Sequence, residues 1–99
     1  MDREYIEKTA CEFFGIDADD LRSDSRRQPL AKYRFMVWRA LRERTKLKPW
    51  MITSMYNRDS STIRHGIKQS RDIEALNKDY IAFESYFVDN LGKAVDKPV

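Results

Sequence analysis

Residues 56–65 read Tyr-Asn-Arg-Asp-Ser-Ser-Thr-Ile-Arg-His and gather side chains suited to touching phosphates and base edges. Asp59 followed by small hydroxyl residues is a helix-start signal, because its carboxylate can accept from main-chain N–H groups of the first turn. Ile63 and Ile67, four apart, turn one face of the ensuing helix inward. Ser60, Ser61 and Thr62 are then left on the first turn, where their hydroxyls can bond base edges and the Thr62 methyl can meet a thymine methyl. Arg58 and Arg64 flank them as phosphate or guanine partners, and His65 follows. By itself Asp-Ser-Ser-Thr is an ordinary capping sequence; its surroundings must decide what it does.

Other chemistry finds little support. His65 is the only histidine and Cys11 the only thiol, so no cluster has metal-ligand spacing. There is no Gly-rich phosphate loop, dinucleotide fingerprint or nucleophile elbow. Asp17, Asp19 and Asp20 lack the glycine and glutamate of a calcium loop and read as a solvated acidic turn. A non-catalytic protein is expected, with no cofactor, no metal and no small-molecule substrate.

Charge is distributed in blocks. Residues 1–21 carry a net −5, residues 22–71 a net +11 from fourteen basic and three acidic side chains, and residues 72–99 a net −3. A basic centre dominated by arginine is the footprint of a polyanion partner, since guanidinium pairs bidentately with phosphate and guanine. With 99 residues and twelve aromatics the chain can build one modest core. Three Gly and three Pro are too few for a β-sandwich. No apolar run suits a signal peptide or a membrane span, and a single cysteine fits a reducing compartment. A cytoplasmic, nucleoid-associated protein is expected.

The elements that must position the polar stretch follow from periodicity. Tyr5, Ile6, Thr9 or Ala10, Phe13 and Phe14 form the inward stripe of a helix over residues 3–14, with Gly15 as its C-terminal stop and Ile16 folding back. Phe13, Phe14, Ile16 and Leu21 are expected in the core. Residues 22–32 have no apolar period and read as a basic loop whose arginines face a phosphate backbone. From about Pro29–Lys32 to Arg44, Tyr33, Met36, Val37, Ala40 and Leu41 make a second stripe, completed by Trp38 and leaving Arg34, Arg39, Arg42 and Glu43 mostly off it. Pro49 suits the first turn of a short helix ending at Tyr56, with Met51 or Ile52 and Met55 inward. A short helix, a turn at Asn57-Arg58 and a longer helix with polar first-turn residues is helix-turn-helix spacing.

Beyond it, Ile73, Leu76, Tyr80, Phe83, Phe87 and Leu91 continue at steps of 3, 4, 3, 4 and 4. Residues 60–91 are either one long helix or two broken near Asn77, whose side chain suits an N-cap. The aromatic seam is expected to fold back onto the core, with a second subunit as the other option. Residues 92–99 read as a frayed tail.

Phe13–Arg71 resembles the C-terminal DNA-binding domain of the bacterial chromosomal replication initiator DnaA, in the Trp-repressor-like helix-turn-helix superfamily. The matching residues are Phe13-Phe14-Gly15-Ile16-Asp17, Leu21, Ser25-Arg26-Arg27, Ala40-Leu41-Arg42-Glu43-Arg44-Thr45 and the signature Asn57-Arg58-Asp59-Ser60-Ser61-Thr62-Ile63-Arg64-His65. Order and spacing hold apart from a one-residue gap, either before Pro49 or before Asn57. The resemblance implies sequence-specific binding of double-stranded DNA, with Asp59, Ser60, Ser61 and Thr62 where the family reads bases. It also places Lys32 near a minor-groove arginine, and Arg26 and Arg27 in a backbone-holding loop. Ser60 replaces the family's base-reading histidine and Ser61 one of its threonines, so the initiator's own recognition box is not the expected target. The 99 residues hold no ATP-binding module, and an ATP-driven filament is not expected of this chain alone.

The sequence thus specifies an all-α helix-turn-helix bundle of about five helices, with a family-like core at residues 3–71 and an added aromatic helix at 72–91. Its expected partner is duplex DNA, positioned by Arg26, Arg27, Lys32, Arg34 and Lys48 and specified by Ser60, Ser61, Thr62 and Arg64. A regulator or a phage- or mobile-element-type accessory protein fits this reading. The competing one is a protein-interaction module that has lost DNA binding and uses the aromatic 79–91 helix; a homodimer or protein partner through 73–91 stays open.

Overall fold

The structure, a computed structural model, describes residues 2–23, 27 and 29–96, with side chains as far as Asn90. Its architecture is set by how each helix begins and ends. Helix α1 (Arg3–Phe14) starts where Asp2 accepts from the Tyr5 N–H at 2.9 Å. It stops at Gly15, whose φ of 69° lies in the left-handed region and lets the Gly15 and Ile16 N–H groups both donate to the Cys11 carbonyl. Helix α2 (Ala18–Arg22) opens with a reciprocal capping box between Asp17 and Asp20, which is the role of the acidic turn. Helix α3 (Leu30–Arg44), helix α4 (Pro49–Tyr56, with Pro49 in its first turn) and helix α5 (Ser60–Asp72) follow the expected spans closely.

All six helices among the described residues feed one core. Ile6 and Ala10 from α1, Leu21 from α2 and Ile52 from α4 meet Met36, Val37, Trp38 and Leu41 of α3, with Ile63 of α5. Helix α5 lies tightly on α3 at Gly66. A Cβ there would come within 2.6 Å of the Phe35 ring and 2.7 Å of Trp38, so only glycine permits this approach. Phe14 and Tyr33 stack at 4.3 Å between ring centroids, while Phe13, expected in the core, is 36% exposed and rests its ring against Phe14 and Tyr86.

The C-terminal segment is two helices, not one, and the break differs from the expected one. Helix α6 (Glu74–Asp96) begins after Ile73, whose extended ψ of 115° ends α5. Asn77 therefore lies inside α6 and caps nothing. The break exists because α6 must reverse to bring its seam onto the bundle: Leu76, Tyr80, Phe83 and Phe87 are all buried. Arg39 of α3 secures the corner, donating to the Ser70 carbonyl at 3.0 Å and to Asn77 Oδ1 at 2.9 Å, with its guanidinium carbon 3.9 Å over the Tyr80 ring. Tyr5 closes the other end by donating from its hydroxyl to the Phe87 carbonyl at 2.6 Å. Helix also persists through Asp96, where a frayed tail from residue 92 was expected.

Candidate nucleic-acid interface

The turn between α4 and α5 occupies three residues. Asn57 takes the left-handed conformation, φ 52° and ψ 47°, which asparagine tolerates better than most residues. Its N–H and that of Arg58 both donate to the Thr53 carbonyl, closing α4. Asp59 then caps α5: its Oδ1 accepts from the Thr62 N–H and from the Ser61 hydroxyl, each at 2.8 Å. These bonds, the Thr62 N–H foremost, hold the Asp59 carboxyl below the usual carboxylate range. The first turn therefore keeps a fixed anionic cap at neutral pH. Ser60, Ser61 and Thr62 stand exposed on it, and the Ser61 hydroxyl, having donated to the cap, keeps its lone pairs as acceptors.

Two expected contact residues have other duties. Arg34, expected to position a duplex, is 4% exposed, and its guanidinium donates to the Asp20 carbonyl and the Ser23 hydroxyl, both at 3.3 Å. Burial of an arginine requires such partners; here they tie α3 to the end of α2. Arg58, expected to meet phosphate or guanine, is half-buried and donates to the Tyr56 carbonyl at 2.9 Å and the Ser23 carbonyl at 2.6 Å. It braces the start of the basic loop against the helix-turn-helix turn.

The remaining candidates lie at the surface. Lys32 is exposed on the first turn of α3, Lys48 at the start of α4, and Arg64 and His65 on α5, with His65 edge-on to the Phe35 ring. Arg27 is exposed in the loop, and its carbonyl accepts from the Leu30 N–H. Arg26 lies outside the described residues. The structure thus joins the first turn of α5 to the basic loop through Arg58, which no single sequence window reveals. Among the described residues, no group of three His, Cys, Asp or Glu side chains is placed to hold a metal ion, and no helix is long and apolar enough to cross a membrane.

Residues 3–69 match the family model described as the bacterial dnaA protein helix-turn-helix. The chain belongs to that family. Comparison with curated proteins gave no significant match. DnaA-type helix-turn-helix domains are non-catalytic DNA-binding modules, and this one keeps the all-α fold with an added aromatic C-terminal helix. The matched region stops three residues before the end of α5, so α6 lies wholly outside the DnaA-type match although it completes the core.

Trp50, Lys68 and Arg71 were not among the expected site residues. Trp50, in the first turn of α4, is 67% exposed beside Lys48. Arg64, Lys68 and Arg71 also recur at i, i+4 and i+7 along one flank of α5. That spacing is readable in the sequence, but only the fold shows which neighbours the flank faces.

Proposed function

We propose that this chain acts as one domain that binds double-stranded DNA sequence-specifically, with the first turn of α5 in the major groove. The observation that carries this reading is the combination of an exposed Ser60-Ser61-Thr62 turn with a rigid mount behind it. Asp59 fixes the turn from below and Arg58 ties it to the basic loop. Base readout needs this kind of presentation, because a hydrogen bond misplaced by an ångström discriminates little. Ser60, Ser61 and Thr62 read base edges, with Asp59 also at the groove, while Arg64 and His65 border it. Arg26, Arg27, Lys32 and Lys48 hold the backbone, and Arg34 and Arg58 act from behind as braces. Ser60, small where a family base-reader is bulky, gives the chain a target of its own, which suits a nucleoid-associated regulator or a mobile-element accessory protein.

Burial of Tyr80, Phe83 and Phe87 counts against the competing protein-docking reading, because those rings are spent within the chain. A salt titration tests the proposal. With about six phosphate contacts, log affinity for duplex DNA falls against log salt with a slope of about −5. Failure to bind any duplex at low salt contradicts it.

A further inference from the structure

Between α5, the end of α3 and the start of α4 runs an open groove of about 590 Å³. Four cationic side chains line it, Arg42, Arg64, Lys68 and Arg71, against one carboxylate, Glu43. Glu43 is already engaged, pairing with Arg39 at 3.3 Å and with Arg71 at 3.1 Å. Arg42, Arg64 and Lys68 are exposed and have no ion pair among the described residues. Three like charges held around one concavity repel each other, and an occupant of opposite charge relieves that cost.

We infer that this groove is a second backbone-binding strip that holds the phosphates of one DNA strand beside the helix in the groove. The inference rests on the proposed function and extends it to Arg42 and Lys68. Its geometry follows from the helix: Arg64 lies one turn beyond Ser60 on the same side, and Lys68 and Arg71 continue that side away from the bases. A helix whose first turn enters the major groove is bordered by the two strands. The opposite border carries Thr62, His65 and Gln69 and no lysine or arginine, so the cationic border fits closer strand contact. Pro49 at the start of α4 lines the groove, and the exposed Lys48 directly precedes it in the chain. Continuity with the reading turn favours DNA over an acidic protein as the occupant.

The test compares the full chain with Arg42→Ala/Lys68→Ala on one duplex selected for tight binding and on one random duplex. Both residues are exposed, and circular dichroism with urea unfolding checks that the fold is kept. Loss of two phosphate contacts makes the salt slope shallower by about 1.8 on both duplexes, from a slope of about 0.9 per contact. The ratio of selected to random affinity stays unchanged, since phosphate contacts carry no sequence. An unchanged slope with intact binding overturns this inference and leaves the proposed function standing. A shift in sedimentation with no change in slope overturns it too, and marks the groove as a dock for the acidic end of a second copy. Absence of duplex binding by the unaltered chain overturns both.

Discussion

The Arg58 guanidinium donates to the Ser23 carbonyl at 2.6 Å, joining two segments 35 residues apart in sequence. One is the start of the basic loop and the other the turn that launches α5. The basic loop and the turn that launches α5, proposed above to hold the backbone and to read bases, are therefore tied together by a residue of the family signature. Substituting Arg58→Ala removes the guanidinium's bonds to the Tyr56, Asn57 and Ser23 carbonyls. A loss of about 1–3 kcal/mol in urea unfolding is expected, together with weaker binding to all duplexes alike. Unchanged stability would show that the brace is dispensable.

Gly66 gives a prediction of opposite sign to helix propensity. On an exposed helix Gly→Ala stabilises by about 1 kcal/mol. Here the new methyl meets the Phe35 and Trp38 rings well inside contact distance, and Trp38, 1% exposed, is enclosed by the core. Gly66→Ala should therefore destabilise by about 1–3 kcal/mol, read from thermal or urea unfolding. A stabilised variant would mean that α3 and α5 do not approach this closely.

Helix α6 lies beyond the matched region yet behaves energetically as core. Phe83 and Phe87 are fully buried, and Phe83→Ala should cost about 3–5 kcal/mol. Asn77→Ala should cost less while loosening the α5–α6 corner, seen as faster amide exchange near Ile73. If Phe83→Ala unfolded at the same urea concentration as the unaltered chain, the fold-back would be wrong.

Acid should release the cap of α5 only below the ordinary carboxylate range. The Asp59 value in the folded chain lies below its unfolded one. The cap's contribution is therefore complete above the ordinary carboxylate value and fades as pH falls through the depressed one. NMR shifts of the Thr62 amide should titrate below the ordinary range, and Asp59→Asn should flatten that titration while keeping the helix start. A Thr62 amide that titrates at an ordinary carboxylate value would contradict the capping geometry.

Much of this was legible in the sequence, for local reasons. Gly15 and Asp59 mark helix ends through bonds made within a few residues and Pro49 through its fixed φ, so α1 stops and α4 and α5 start where those residues direct. The resemblance around residues 57–65 likewise identified the family that the match over residues 3–69 shows. What stayed hidden depended on contacts distant in sequence. The break at Ile73 has no glycine or proline to announce it, and Arg39 reaching from another helix secures it. Arg34 and Arg58 look like any other arginines of the basic block until their main-chain partners are known. The groove beside Lys68 existed in the sequence only as a spacing.

Whether the first turn of α5 reads bases is decided by pairing a selection with a double substitution. A duplex is first selected from a random pool with the unaltered chain. Affinities for it and for a random duplex are then measured at one salt concentration for Ser61→Ala/Thr62→Ala and for Lys48→Ala. The double variant should lose selected-site affinity by about tenfold or more, at about 1–3 kcal/mol per lost base contact, with little change on random DNA. Lys48→Ala should lower both affinities equally. Equal losses on both duplexes for the double variant would contradict base reading by that turn.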